Sequence, residues 1–230
     1  MNSKIIGIVG AKSNGLSIAI TAAKANYNVL IYDPNPVLLQ QMNAKVRKVV
    51  ERWQRKNLIE VGEANALIDR ICAVSTVKSL ASADIIFEAA SENLEKKKEL
   101  FKALDELSPD SVILVSTSAF ISVTTLASVC FLKKRVIGMQ FHNQSSLFSL
   151  IELSQGNDTS RDVVTKATEI ARTLVKEVVI CYDSPGLVVH RISRNFFGEA
   201  LRIYEEGTAS MLEIDAFMRQ AGNFQLGPFE

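Results

Sequence analysis

The sequence predicts an α/β fold: a doubly wound, mostly parallel sheet followed by a short all-helical C-terminal module. Short apolar runs alternate with longer helical patterns, as expected for parallel strands that are buried on both faces. A glycine-rich turn joins the first run to the first helix. After Asp183-Ser184-Pro185-Gly186 the pattern becomes purely helical, which predicts a domain boundary between residues 1–186 and residues 187–230.

Seven apolar runs are predicted as strands: residues 5–9, 29–32, 85–88, 112–115, 136–139, 150–153 and 178–181. Four helices are predicted among the first four strands: residues 15–25, 36–56, 63–73 and 94–107. After Val136 the strands follow one another with fewer helices between them. The far part of the sheet is therefore expected to be mixed or antiparallel.

The C-terminal module is predicted to hold two helices, residues 187–206 and 211–220. Ser210 is a suitable N-cap for the second helix, with Glu213 as its capping-box partner. A module of about 40 residues is small for an independent hydrophobic core. We therefore expect it to pack against the first domain or against another chain.

The composition argues against several classes of partner. The 230 residues carry a net charge of +1, which favours neither nucleic acid nor an acidic membrane surface. The three cysteines, Cys72, Cys130 and Cys181, follow no metal-ligand spacing, so we expect no metal. No apolar run approaches the ~20 residues that span a bilayer, and a cytoplasmic protein is expected.

Residues 10–15 (GAKSNG) open the first helix directly after the first strand. In a dinucleotide-binding fingerprint the glycines make the turn, admit the pyrophosphate and pack helix on strand. The helix N-terminus offers N–H groups to phosphates, here around Lys12, Ser13 and Asn14. Asp33, which ends the second strand, is placed to accept from ribose hydroxyls and favours NAD over NADP. The pattern predicts a Rossmann-type NAD-binding domain.

The turn departs from the fingerprint at one position. Gly10 and Gly15 occupy the first and third glycine positions, but Lys12 occupies the middle one. A Cβ atom there crowds the pyrophosphate, whereas an ammonium group nearby pairs with it. Two interpretations stay open: a turn that binds NAD, and a Rossmann-like turn that has lost dinucleotide binding.

From about Lys4 to its last residue, the chain resembles the L-3-hydroxyacyl-CoA dehydrogenase family, which includes 3-hydroxybutyryl-CoA dehydrogenase. The segments that carry the resemblance are KIIGIVGAKSNG, VLIYD, FEAASENLEKKKELF, ILVSTSAFI, RVIGMQFHN, LIEL, DSPGLVVHRI, NFFGEALRIYEEGTAS and LGPFE. The resemblance implies a Rossmann NAD domain and a helical domain that forms a dimer and helps to hold the acyl-CoA. It also implies hydride transfer between C3 of a 3-hydroxyacyl-CoA and the nicotinamide.

The resemblance also assigns cofactor contacts to particular residues. Asp33 matches the ribose-binding aspartate, and Glu92 and Lys97 match groups that line the nicotinamide side of the groove. Asn143 matches an asparagine that follows the catalytic strand and contacts the cofactor. These residues join the glycine turn in the predicted NAD site.

Three of the four catalytic positions that the resemblance implies are changed. Ala119, preceded by Ser118, stands where the family has a serine that contacts the substrate hydroxyl. Gln140 stands where the family has its general-base histidine, and His190 where the helical domain has an asparagine. The glutamate that orients the histidine is retained as Glu152. Glutamine cannot exchange a proton at neutral pH, and loss of general acid–base help costs about 10²–10⁴-fold in rate.

Both histidines of the chain fall in segments that build the active site of the family. If its strand continues far enough, His142 shares a face with Gln140 and is displaced along it by about 6.5 Å. His142 or His190 with Glu152 is therefore a candidate for a rearranged acid–base pair. Three interpretations stay open: an active dehydrogenase, a pseudoenzyme that keeps NAD or acyl-CoA affinity, and an interaction scaffold without either ligand. A different reaction is the remaining alternative.

Family members continue past the GPFE motif with further helices, so residues 187–230 are expected to form a partial, truncated helical domain. The first predicted helix of this module carries an apolar face. Its members are Leu187, Ile192, Phe196, Phe197, Leu201 and Tyr204. Contiguous apolar faces of this kind mark interaction surfaces. We therefore expect a homodimer formed largely through this helix.

Overall fold

The computed structural model describes residues 4–144 and 147–230, without the side chains of residue 61 and residues 143–148. The chain divides into two compact units, Met1–Pro185 and Gly186–Glu230. Within the described ranges, no helix combines the length and the apolar character needed to cross a membrane.

The strands of the first unit form one mixed sheet. They are β1 (Ile5–Val9), β2 (Asn28–Tyr32), β3 (Ile71–Ala73), β4 (Ile85–Glu88), β5 (Ile113–Ser116), β6 (Val136–Gln144), β7 (Leu147–Gln155) and β8 (Glu177–Tyr182). The described strands follow the order β3-β2-β1-β4-β5-β6-β7-β8. Neighbours run parallel except for β6 and β7, which are antiparallel. The predicted doubly wound, mostly parallel sheet is confirmed, and its far part is mixed as expected.

Helices cover both faces of this sheet. In the first unit they are α1 (Ser13–Lys24), α2 (Pro36–Arg55), α3 (Val61–Asp69), α4 (Leu94–Leu107), α5 (Val123–Ala127) and α6 (Arg161–Leu174). Ile85 and Phe87 of β4 pack in the core that includes α1 and α6, whereas Ile86 packs in the core that includes α4 and α5. This alternation follows from the two-residue period of a strand. It explains why the parallel strands are apolar at nearly every position.

One secondary-structure expectation is wrong, and one helix was not predicted. Residues 71–73 form strand β3 and not the end of a helix, because α3 ends at Asp69. Ile71 pairs with Val29 of β2, so pairing at the sheet edge outweighs the helical spacing of the apolar residues. The sequence pattern also fails to predict α6. That helix connects the parallel strands β7 and β8, which require a crossover connection.

The second unit contains α7 (Val189–Glu205) and α8 (Met211–Gln220). Helix α7 begins later than expected because Gly186 and Leu187 have φ angles of 82° and 47°, outside the right-handed helical region. The expected start of α8 is confirmed, since Ser210 and Glu213 form a capping box.

Candidate active site

The candidate site lies at the carboxyl ends of β1, β4, β5 and β6. In the sheet, β1 has β2 on one side and β4 on the other. The chain connections therefore lead in opposite directions from β1 and β4, and a crevice opens above them. Ligands of doubly wound sheets bind in such a crevice.

The glycine turn has the geometry that its two glycines permit. Gly10 has φ of 113°, and a Cβ atom there would lie 2.7 Å from the carbonyl oxygen of Ala89. A Cβ atom on Gly15 would collide with the carbonyl oxygen of Gly10. The Gly10 N–H donates to the carbonyl oxygen of Tyr32 at 2.8 Å, which joins the turn to the end of β2. Both glycines are therefore required for β1 to pass directly into α1.

Asp33 connects this turn to the end of the second strand. Its Oδ2 accepts a hydrogen bond from the Ala11 N–H at 2.7 Å, and its Oδ1 accepts from the Asn35 N–H at 2.8 Å. The side chain is buried yet lines a cavity of about 560 Å³. Each carboxylate oxygen has a second acceptor site. Asp33 thus keeps capacity for the ribose hydroxyls of a dinucleotide.

Three residues of the turn are exposed at the start of α1: Lys12, Ser13 and Asn14. Lys12 is the N-cap residue, and it lines the same cavity as Asp33. Ser13 begins the helix, and the Asn14 side chain donates to Thr117 Oγ1 at 3.3 Å. The α1 N-terminus therefore opens beside the cavity, where its N–H groups suit a phosphate. The side chain of Asn143 lies outside the described part of the chain.

A buried ion pair fixes the loop that follows β4. Glu88, the last residue of β4, pairs with Lys97 of α4, and both side chains are 1% exposed. Glu88 also accepts hydrogen bonds from the N–H groups of Ala90, at 2.9 Å, and Ser91, at 3.3 Å. The Lys97 ammonium is thus directed at Glu88 inside the protein. Sequence reasoning missed Glu88, although an acidic residue at the end of the apolar strand IIFE was a signal.

A second hydrogen-bond network joins this loop to the loop after β5. Ser118 donates to Glu92 Oε2 at 2.6 Å, and its oxygen accepts from the N–H groups of Phe120 and Ile121 at 3.2 and 3.1 Å. Its hydroxyl therefore holds two loops together. Ala119 beside it is buried and has no polar side-chain atom. The position that the resemblance gives to a substrate-binding serine is thus apolar.

The predicted catalytic residue Glu152 lies on β7, next to two residues of β6, Gln140 and His142. In the antiparallel ladder Gln140 stands opposite Glu152, and the register shifts after His142. The His142 Nε2 atom lies 2.6 Å from Glu152 Oε2, with 15% of the imidazole side chain and 1% of the carboxylate side chain exposed. The Gln140 Oε1 atom is buried and has no hydrogen-bond partner in the described part of the chain. The structure thus brings together Gln140, His142 and Glu152. The Glu152 carboxylate contacts the imidazole of His142.

The other predicted histidine belongs to the second unit. His190 is half-buried in the first turn of α7. Among the described residues, no group of three or more His, Cys, Asp or Glu side chains could hold a metal ion.

Asp183 fixes the start of α5 and was missed by sequence reasoning. It accepts hydrogen bonds from Ser122 Oγ at 2.7 Å, the Val123 N–H at 2.9 Å and the Thr124 N–H at 2.8 Å. Burial alone would raise the pKa of Asp183, but these hydrogen bonds outweigh it and lower the pKa. The carboxylate therefore joins the end of the first unit to the segment that follows Ser118 and Ala119.

The glycine turn, the open α1 N-terminus and Asp33 together define a Rossmann-type dinucleotide-binding domain. Residues 5–184 match the family of the 3-hydroxyacyl-CoA dehydrogenase NAD binding domain, and residues 186–230 match the 3-hydroxyacyl-CoA dehydrogenase C-terminal domain. The chain belongs to the 3-hydroxyacyl-CoA dehydrogenase family. NAD is accordingly the cofactor of its first unit, and the turn and cavity described above fit that cofactor.

Known relatives support this membership. A probable 3-hydroxybutyryl-CoA dehydrogenase of Bacillus subtilis is 33% identical over 99% of this chain and 79% of its own length. The 3-hydroxyadipyl-CoA dehydrogenase of Escherichia coli is 31% identical over 100% of this chain, which spans 48% of that relative. The crystal structure of (S)-3-hydroxybutyryl-CoA dehydrogenase from Ralstonia eutropha is 32% identical with a TM-score of 0.93, covering 99% of this chain and 80% of its own.

Proposed function

We propose that the chain is an NAD-dependent dehydrogenase for 3-hydroxyacyl-CoA in which His142, held by Glu152, replaces the changed residue at position 140 as acid and base. The observation that carries this proposal is the 2.6 Å contact between His142 Nε2 and Glu152 Oε2. An imidazole suits both directions of the reaction because its pKa range is near neutral. The relatives named above are dehydrogenases of hydroxyacyl-CoA esters, which supports the substrate class.

Each protein group has a distinct task in this proposal. Glu152 orients the imidazole through Nε2, so Nδ1 is the atom that exchanges the proton of the substrate hydroxyl. When bound, NAD supplies the acceptor for the hydride from C3. Asp33 and the α1 N-terminus hold the ribose and the phosphates. Ser118 and Glu92 keep the loops after β4 and β5 in one arrangement.

The shift from position 140 to position 142 has a consequence for the substrate. Two residues along a strand correspond to about 6.5 Å, so the imidazole approaches the reacting hydroxyl from a different backbone position than a base at position 140 would. Ala119 supplies no hydrogen bond to help place it. We therefore propose that hydride transfer is rearranged and weakened. The preference among acyl groups should also differ from that of an enzyme with its histidine at position 140.

The alternative is a pseudoenzyme that binds NAD and acyl-CoA without turnover. Two observations favour it: Ala119 has no hydroxyl, and the Gln140 amide has no proton to exchange at neutral pH. In this alternative the His142–Glu152 contact stabilises the β6–β7 ladder and serves no chemistry.

One pair of experiments separates these functions. NADH is first titrated into the purified protein and followed by nicotinamide fluorescence, where saturable binding is expected under both. Acetoacetyl-CoA is then added and the loss of NADH is followed. If the protein is an enzyme, NADH is lost at a rate above background, and His142→Ala abolishes that rate. His190→Ala, which changes the other histidine, is the matched control. A background rate in the unmodified protein, with NADH binding intact, would favour the pseudoenzyme.

The partners of the chain are also proposals. The apolar face of α7 includes Ile192, Phe197 and Leu201, whose exposed fractions are 66%, 48% and 48%. Such a face favours a homodimer formed through α7. The proposed compartment is the cytoplasm, since all three cysteines are free thiols. Light scattering of the intact protein and of Leu201→Glu tests the dimer, because the variant should be monomeric.

A further inference from the structure

Lys12 has a backbone conformation that does not require glycine. It caps α1 with φ of −83° and ψ of −177°, an extended conformation that any residue adopts. Its carbonyl oxygen accepts the Leu16 N–H at 2.9 Å and so begins the α1 ladder. The replacement of the middle glycine by lysine therefore introduces no backbone strain, and its effect depends on where the side chain lies.

Lys12 lies on the wall of the dinucleotide cavity. That cavity also has Asp33 and Asn35 from the end of β2, and Ala90 and Ser91 from the loop after β4, on its walls. The side chain is exposed, and its ammonium has no ion-pair partner in the described part of the chain. An exposed, charged residue thus begins α1 and lines the cavity that Asp33 also lines.

The start of α1 favours an anion, whereas Asp33, Glu88 and Glu99 are acidic residues elsewhere on the cavity wall. The first turn of α1 contains no acidic residue, and no side chain caps its N–H groups. A helix N-terminus has a partial positive charge, and a lysine contributes a full charge as a compact phosphate ligand. A pyrophosphate beside α1 would meet both.

We infer that Lys12 binds the pyrophosphate of NAD through its ammonium group and replaces the close backbone approach that a glycine would allow. The inference rests on the NAD binding of the proposed function, and not on turnover. The ammonium of Lys12 therefore assists the binding of the cofactor and does not block it. Because the contact is an exposed charge pair, NADH affinity should depend on salt more steeply than in a variant without that charge.

The test compares side chains of similar length that differ in charge. Lys12→Met removes the ammonium but keeps most of the stem, Lys12→Arg keeps a charge, and Lys12→Gly restores the fingerprint glycine. Lys166→Met is the matched control, because Lys166 is an exposed lysine near the amino ends of β4 and β5. Dissociation constants for NADH and NADPH are measured by fluorescence at about 20 mM and about 0.5 M salt, where screening is weak and strong.

The expected result is a loss of NADH affinity of about tenfold in Lys12→Met at low salt, the effect of one exposed charge-assisted hydrogen bond. The loss of affinity should shrink at high salt. Lys12→Arg and Lys166→Met should both bind NADH with nearly the affinity of the unmodified protein. Unchanged affinity in Lys12→Met, or tighter binding in Lys12→Gly, would overturn the inference while NAD binding stood. A larger loss for NADPH than for NADH would overturn it by assigning the ammonium to the 2′-phosphate. No NADH binding by the unmodified protein would overturn both the inference and the proposed function.

Discussion

The His142 imidazole and the Glu152 carboxylate lie 2.6 Å apart, although Gln140 stands directly opposite Glu152 in the β6–β7 ladder. The imidazole takes the carboxylate, and the Gln140 carbonyl oxygen stays buried without a hydrogen-bond partner among the described residues. An unsatisfied buried acceptor costs about 1–3 kcal/mol. Because the side chains at positions 140 and 142 both lie near Glu152, substitutions at these positions change which of them forms a hydrogen bond with its carboxylate.

His142→Gln is expected to lower the NADH-dependent reduction of acetoacetyl-CoA by about 10²–10⁴-fold, because it removes the proton carrier and keeps a polar side chain. The double variant Gln140→His with His142→Gln returns an imidazole to the position opposite Glu152. It is expected to recover part of the lost rate. Steady-state rates give the comparison, and NADH binding serves as the control for folding. An undiminished rate in His142→Gln would contradict the proposed role of His142.

The Glu88–Lys97 pair is expected to stabilise the fold strongly. Lys97→Met leaves the Glu88 carboxylate buried without its counter-charge, which should cost about 3–5 kcal/mol in the free energy of unfolding. The double variant Glu88→Gln with Lys97→Met removes both charges and should be more stable than Lys97→Met alone. Urea unfolding measures both.

Lys98→Met is the matched control for that prediction. Lys98 is the next residue of α4 and pairs with Glu95 at 3.4 Å, where the Glu95 side chain is 74% exposed. Its removal should cost less than about 1 kcal/mol. Equal losses in Lys97→Met and Lys98→Met would show that the buried pair has no special weight.

The sheet and its cofactor edge could be predicted from the sequence because their signals are local. The apolar runs, the two glycines of the turn and Asp33 lie within short segments whose geometry the chain itself fixes. Strand β3 and helix α6 could not be predicted as easily. The existence of β3 depends on pairing with β2, and α6 is identified by the parallel strands that it connects.

The side-chain network of the site was less predictable than the sheet. Ser118 and Glu92 are 26 residues apart, and their contact depends on how two loops return over the sheet. The two-residue period of a strand does place Gln140 and His142 on one face. Whether the Gln140 amide or the His142 imidazole contacts the Glu152 carboxylate depends on side-chain packing, which the spacing of residues in the sequence does not specify.

The three cysteines are expected to differ in reactivity toward thiol reagents. Burial, followed by the charge of Asp105, raises the pKa of Cys130 to about 12, and Arg135 opposes this only in part. Burial also raises the pKa of Cys181, with smaller contributions from Glu152 and Asp183. Cys72 is exposed. Because the thiolate is the reactive form, Cys72 should react first and Cys130 only on unfolding.

Thiol counting in native and denatured protein checks this order. Cys72→Ser should remove the fast phase and leave the slow ones unchanged. Fast modification of Cys130 in the folded protein would contradict its burial beside α4 and α5.

Asp183 is expected to make stability depend on pH in the acid range. Its pKa in the folded protein lies below the ordinary value of 3.8, because the hydrogen bonds from Ser122, Val123 and Thr124 outweigh burial. A group whose folded pKa is lowered contributes stability above its unfolded pKa, and this contribution is lost as pH falls through the folded pKa. The carboxylate should therefore stabilise the first unit fully at neutral pH and progressively less below about pH 4.

Asp183→Asn tests this prediction, because asparagine keeps the shape and loses the charge. The variant should be less stable than the unmodified protein by about 1 kcal/mol at neutral pH, a value reduced for partial exposure. That difference should stay constant down to about pH 4 and shrink below it. Ser122→Ala removes one donor and leaves the N–H groups of Val123 and Thr124, so the folded pKa of Asp183 should rise toward its unfolded value. The acid loss of stability should then be smaller and should end at a higher pH, with its onset near pH 4 unchanged. Urea unfolding across the acid range provides the measurement, and a stability difference that does not vary with pH would exclude the charge of Asp183 as its cause.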